Sequence, residues 1–289
     1  MDDNSYPRVI VLGSGEMRSL KILGFLVPME DYGILKYVDT FCGVSIGAVI
    51  SLLIVSGYTI REIISEVVIL DIFKDFNYFN LTEQNRGTMS NEPLKKRITQ
   101  LIINKFGNVP SLDKLYLRTG KSFISVTLNV TDELTVIMTP FSHPNILCVD
   151  AAMFSMNIPF ALYQGKIYAD GSLANPYPIN YFDDGNTNVL GIYNKIKQSS
   201  ISNYHIKIIY SLLNQRYNQI VETSSNKCKH VTLESNFTYG DDLQDKVETI
   251  VNGFNQGKKY IQQVNNNNTN KQNDLKYQYP PYYLVNNNI

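Results

Sequence analysis

Phe41-Cys42-Gly43-Val44-Ser45-Ile46-Gly47-Ala48 decides the reading of this chain. The run from Tyr37 to Cys42 predicts a strand and the apolar stretch from Val44 to Val55 a buried helix, so Ser45 falls where a strand turns into a helix. Gly43 and Gly47 make a G-x-S-x-G pattern around it. Glycines there allow a tight turn and close backbone approach, which would hold the serine hydroxyl out at the end of a sheet. The first N–H groups of the following helix lack intrahelical partners and carry partial positive charge, favouring a negative oxygen that develops beside Ser45. Glycines at this spacing also suit plain helix–strand packing, so the pattern needs support from the rest of the chain.

Upstream, Arg8 to Leu12 predicts a first strand, ended by Gly13-Ser14-Gly15, and Leu20, Leu23, Gly24 and Val27 then recur at helical spacing until Pro28. This turn could aim the backbone N–H groups of Ser14, Gly15 and Glu16 at an oxyanion, with Arg18 close by. Nucleotide motifs fail here: Arg18 stands where G-x-G-x-x-G needs glycine, and no G-K-[ST] closes a phosphate loop.

Downstream, Ile60–Phe73 and Glu92–Phe106 show helical periodicity, and the polar stretch Asn77–Asn91 between them is a loop or lid candidate. Ser122–Val130 and Glu133–Thr139 predict strands, and Val149–Met156 a short helix. Lys166–Ala169 predicts a strand that delivers Asp170-Gly171, a carboxylate beside a glycine that leaves room for a partner side chain. An Asp-Gly pair alone is most often a turn, as Asp183-Asp184-Gly185 is expected to be. A strand over Val189–Tyr193, a helix over Tyr204–Val221, a strand over His230–Leu233 and an amphipathic helix over Leu243–Val264 complete the pattern. Alternating strands and helices imply an α/β fold with a mainly parallel sheet covered on both faces. One domain over 1–264 is expected, then an Asn-rich tail over 265–289 expected to be disordered, although Tyr279-Pro280-Pro281-Tyr282-Tyr283 could pack on the body.

With 289 residues, 44% hydrophobic, 18% charged and a formal net charge of zero, the composition is that of a globular protein and offers no field for nucleic acid. Lys95-Lys96-Arg97 reads as the solvated face of a helix. Cys42, Cys148 and Cys228 lack metal-binding spacing and read as free buried thiols in a reducing compartment, which makes cytoplasmic residence the default expectation. Asp2 and Asp3 stand where a secretory signal needs basic residues, and Val44–Val55 is shorter than the ~20 residues of a membrane span.

In order and setting these pieces resemble the patatin-like phospholipases, from about Arg8 to Tyr181. Phe41 to Ala48 is similar to that family's nucleophile elbow, and Leu112–Lys121 (LDKLYLRTGK) resembles its approach to the next strand. Ile167-Tyr168-Ala169-Asp170-Gly171-Ser172 with Asn175-Pro176 resembles its D-G-[GA] segment and following N-P. The resemblance implies a three-layer α/β/α sandwich, hydrolysis of phospholipid or other lipid esters with transient contact to a membrane surface, and a Ser45–Asp170 dyad without a catalytic histidine. It implies no cofactor, and the absence of a calcium-loop pattern predicts metal-independent turnover. An aspartate of reference pKa about 3.9 is a weak base for a hydroxyl, so desolvation and oxyanion stabilisation must compensate.

The chain also departs from that pattern. Aligned through Arg18 and Gly24, Ser14, Gly15 and Glu16 occupy the place of three consecutive glycines, and a Glu16 carboxylate near the oxyanion would oppose it unless turned away or paired with Arg18. Met156 and Asn157 replace small residues before Ile158-Pro159. Two other readings follow: a lipid-binding or scaffold protein on the same fold, and a Ser-Asp-His hydrolase using His205 or His230.

Overall fold

The structure is a computed structural model that describes residues 6–15, 18–69, 92–156, 161–236 and 242–277, the side chains of 69, 161, 206 and 265–277 excepted. Its strands are β1 (Val9–Leu12), β2 (Thr40–Val44), β3 (Ser122–Asn129), β4 (Leu134–Met138), β5 (Ala161–Tyr163), β6 (Lys166–Asp170), β7 (Val189–Ile196) and β8 (Cys228–Ser235). The helices are α1 (Ser19–Asp31), α2 (Ile46–Val55), α3 (Ile60–Ile69), α4 (Glu92–Phe106), α5 (Leu112–Thr119), α6 (Cys148–Met156), α7 (Tyr204–Thr223) and α8 (Leu243–Tyr277).

One eight-stranded sheet runs in the order β5-β6-β3-β2-β1-β7-β8, with β4 also on β3. The neighbours from β3 through β2, β1 and β7 to β8 are parallel, and β4, β5 and β6 join antiparallel. The central strands are apolar on both faces, as a covered parallel sheet requires. Ile10, Leu12, Phe41, Phe123, Leu190 and Ile192 point into a core built with α1, α2, α4 and α6. Val9, Val11, Val44, Val126 and Tyr193 point the other way, against Tyr177, Ile179 and, from α7, Tyr217 and Ile220. This is the expected three-layer α/β/α sandwich.

The register of β3 positions the site. On one edge of β3, β2 pairs up to Val44 opposite Val126, where β2 ends, and β6 takes over with Asp170 opposite Thr127. Because β4 occupies the other edge over the same residues, Ser45 and Asp170 emerge side by side from two strands that share one neighbour.

Several boundaries differ from the sequence reading. The second strand begins at Thr40, because Ile34–Tyr37 closes into a 3-10 turn after Gly33, whose φ of 72° suits glycine. Pro28 lies inside α1, which runs on to Asp31. The short strand β5 escaped notice. Helix α8 continues to Tyr277, past the expected end at Val264: asparagine is only a modestly poor helix former, and extending a packed helix avoids the cost of nucleation. The Asn77–Asn91 segment, Glu16, Asn157 and the Tyr279–Tyr283 stretch lie outside the described residues.

Candidate active site

Ser45 caps α2 with φ 57° and ψ −128°, a backbone conformation that non-glycine residues seldom adopt. Its neighbours explain how the turn closes. A Cβ on Gly43 would lie 2.1 Å from the Gly47 carbonyl oxygen, and one on Gly47 would lie 2.5 Å from that of Leu12. Both glycines are therefore demanded by contact between backbones.

Ser45 Oγ donates to Asp170 Oδ2 at 2.7 Å, and the Ser172 N–H donates to Asp170 Oδ1 at 2.8 Å. Ser45 is 5% exposed and Asp170 1%, so the pair is nearly withdrawn from solvent. A Cβ on Gly171 would meet the Val126 carbonyl oxygen at 2.0 Å, which fixes glycine beside the aspartate. The Ser45 N–H donates to Ser155 Oγ at 2.8 Å, and Ser155 in turn donates to the Val126 carbonyl. The sequence reading missed Ser155; its place on α6, ahead of the predicted stop at Pro159, held no local signal.

The glycine turn after β1 is only partly available as an oxyanion site. The Ser14 N–H donates to the Pro176 carbonyl at 3.2 Å, which takes that expected donor out of the set. Gly15 is half-buried, and its N–H meets no acceptor among the described residues. A Cβ there would lie 2.9 Å from Ser19 Oγ. Arg18 is buried, not a surface residue; it donates to the Tyr210 hydroxyl at 3.1 Å, while its carbonyl accepts from Asn194 Nδ2 at 2.5 Å. At the head of α2, the N–H of Ile46 also lacks an intrahelical acceptor. Beside it, Ile46, Val49, Ile50 and Leu53 of α2 line a narrow apolar crevice with Leu20 and Leu23 of α1 and Ile63 of α3. Ser19 Oγ also lines it, buried and without a hydrogen-bond partner among the described residues.

Neither histidine proposed for a triad reaches Ser45. His230 lies on β8, three strands from β2 or about 14 Å along the sheet, where its Nδ1 bonds the Tyr177 hydroxyl at 3.0 Å. His205 is exposed near the start of α7. The three cysteines are buried and free, and burial pushes the Cys148 thiol up to about 12. Among the described residues no cluster of three His, Cys, Asp or Glu side chains could hold a metal ion, and no helix is long and apolar enough to cross a membrane.

The sequence model of the family described as patatin-like phospholipase matches residues 10–183, which span the glycine turn, the elbow and Asp170. The chain belongs to the patatin-like phospholipase family. Two viral proteins resemble this patatin-like chain at 28% identity. One is an uncharacterized protein of Acanthamoeba polyphaga mimivirus, matched over 66% of this chain and 69% of its own length. The other is a probable lipid hydrolase of Invertebrate iridescent virus 6, matched over 61% of this chain and 63% of its own length. Among solved structures, VipD from Legionella pneumophila superposes with a TM-score of 0.59 at 15% identity, covering 90% of this chain and 67% of VipD. The type III effector ExoU of Pseudomonas aeruginosa superposes at 0.55 and 13%, covering 89% of this chain but only 53% of ExoU. At such identities the likeness is one of fold.

Proposed function

We propose that this protein hydrolyses the acyl esters of phospholipids or lysophospholipids through an acyl-enzyme on Ser45, with Asp170 as the base. The observation that carries the reading is the 2.7 Å hydrogen bond from Ser45 Oγ to Asp170 Oδ2 at a backbone turn of positive φ. Family membership and the probable lipid hydrolase among its relatives supply the substrate class.

In this mechanism Ser45 Oγ attacks the ester carbonyl carbon while its proton passes to Asp170 Oδ2. The N–H groups of Gly15 and Ile46, which have no backbone acceptor of their own among the described residues, are assigned as donors to the developing oxyanion. Collapse of the tetrahedral species expels the alcohol, which takes the proton back from Asp170. Water then attacks the acyl-enzyme, giving its proton to the same carboxylate, and the fatty acid leaves as Ser45 recovers its proton. The crevice that starts at Ile46 is apolar but closed down to about the space of one water, so an acyl chain entering there would have to part α1, α2 and α3. No step calls on a metal or cofactor.

The test is release of acid or phenol from a phospholipid and a p-nitrophenyl ester, with a chelator present, by wild type, Ser45→Ala and Asp170→Asn. Turnover by wild type alone is expected, with fluorophosphonate labelling lost in Ser45→Ala. The engaged Ser14 N–H leaves room for a second reading, a lipid-binding scaffold. Folded wild type that binds vesicles but neither turns over nor labels would establish it, and loss of turnover on chelation would defeat metal independence.

A further inference from the structure

Helix α7 carries two apolar stripes where a surface helix needs one. Tyr217 and Ile220 are buried against the sheet. On the opposite side Tyr204, Ile208 and Leu212, spaced by four, are 79%, 59% and 60% exposed, and Ile209 beside them is 46% exposed. The outward stripe is confined to the first half of the helix, because the following turns present Gln215, Arg216 and Gln219. That first half lies at the C-terminal edge of the parallel strands, since α7 follows the C-terminal end of β7, and this is the edge from which Ser45 projects. Tyr210 on the same helix turn reaches Arg18, which opens α1 next to the glycine turn.

Charge identifies the occupant. Between Asp184 and Glu222 the chain has no carboxylate at all, although Lys195, Lys197, Lys207 and Arg216 fall in that interval and the whole protein is neutral. A second exposed stripe, Leu243, Val247 and Val251 on α8, is accompanied instead by Asp242, Asp245 and Glu248. An anionic surface would repel that helix and attract α7. A helix whose first half combines exposed aliphatic and tyrosine side chains with Lys207, and which has no carboxylate before Glu222, suits burial of its outer face at the headgroup boundary of an anionic bilayer.

We propose that the outward face of the first half of α7 docks this protein on anionic phospholipid surfaces, bringing the Ser45 edge of the sheet to the lipid. The inference rests on the lipid-hydrolase reading for its purpose, but its test does not depend on turnover. Wild type, Ile208→Ser/Leu212→Ser and Lys207→Glu are compared by cosedimentation with phosphatidylcholine vesicles with and without phosphatidylglycerol, and by hydrolysis of a soluble p-nitrophenyl ester. Wild type should favour the anionic vesicles and release them in high salt. Both variants should lose binding, the double variant by at least about tenfold, since two aliphatic side chains no longer enter the lipid. Hydrolysis of the soluble ester should not change. Variants that bind like wild type, wild type that binds neutral vesicles equally well, or wild type that binds neither would overturn the proposal. Binding as expected by a wild type that hydrolyses nothing would remove the hydrolase reading and leave the docking surface standing.

Discussion

The backbone amide of Ser45 and the hydroxyl of Ser155 are joined by a 2.8 Å hydrogen bond deep inside the protein, tying the elbow to α6. Ser155 is wholly buried, and its own proton goes to the Val126 carbonyl on β3. Ser155→Ala would leave the Ser45 N–H and one carbonyl lone pair unpaired, a penalty of about 1–3 kcal/mol. Denaturant unfolding should show that loss. Turnover should fall by about tenfold or more, because the elbow loses its tether; unchanged kcat and stability would mean Ser155 is dispensable.

Ser45 holds its left-handed backbone at a cost on the order of 1–3 kcal/mol, which glycine would largely escape. Ser45→Gly and Ser45→Ala both lose the hydroxyl and the bond to Asp170, so their difference isolates the backbone. Both should be inactive, and Ser45→Gly should be the more stable by about 1 kcal/mol, read as a Tm about 2–4 °C higher. An alanine variant as stable as the glycine variant would show an unstrained turn.

Gly171 lies over the Val126 carbonyl, which a Cβ would approach to 2.0 Å. Backbone atoms of a central strand have nowhere to go, so Gly171→Ala must push β6 off β3 and carry Asp170 away from Ser45. Loss of turnover by about a hundredfold or more is expected, together with a lower Tm. Wild-type rates in Gly171→Ala would break the link between this contact and the dyad.

Much of this arrangement was legible in the sequence because glycine is chosen for reasons that leave a mark. Gly43, Gly47 and Gly171 stand where backbone meets backbone, so the elbow and the aspartate segment could be read without a structure. Strands from Arg8 onward were legible from their β-branched runs, since a sheet covered on both faces selects such residues at every position. Ser155 and Asn194 were not legible. Each is an ordinary polar residue in an apolar run, and its role depends on which remote backbone atom packs beside it. The fate of the Ser14 N–H was hidden for the same reason, its acceptor Pro176 being far away in sequence. The reach of α8 beyond Val264 was obscured by asparagine, which lowers propensity without forbidding a helix that is already nucleated.

His230 gives a pH dependence that separates structure from catalysis. Burial holds its pKa below the ordinary value, so the folded protein keeps it neutral against Tyr177. As pH falls through the unfolded-state value of about 6.5, the unfolded chain takes up a proton that the folded chain refuses, and stability falls. The contribution is complete above that pH and declines below it, towards the lower folded-state value. Between about pH 7.5 and pH 5.5, the Tm of His230→Gln should therefore drop less than that of wild type. Turnover at neutral pH should persist in both His230→Gln and His205→Ala; its loss in either would restore a histidine triad.

The final contact joins α1, inside the span matched by the family, to α8, outside it. Gly24 of α1 and Gly253 of α8 let the two helices touch backbone to backbone: a Cβ on Gly24 would meet the Ile250 carbonyl oxygen at 2.1 Å, and one on Gly253 would meet that of Lys21 at 2.1 Å. Phe25 and Tyr260 pack beside this crossing with ring centroids 5.6 Å apart. Helix propensity alone favours Gly253→Ala by about 1 kcal/mol. The clash works against it, since the helices must separate and open the packing around Phe25, Tyr260 and Ile261 at a cost of about 2–4 kcal/mol. The clash wins. Gly253→Ala should lower Tm by several degrees, whereas Lys259→Ala, on the exposed side of the same helix, should change stability by less than about 0.5 kcal/mol. A stabilised Gly253→Ala would mean that α8 sits loosely on α1, and that residues 10–183 owe it little.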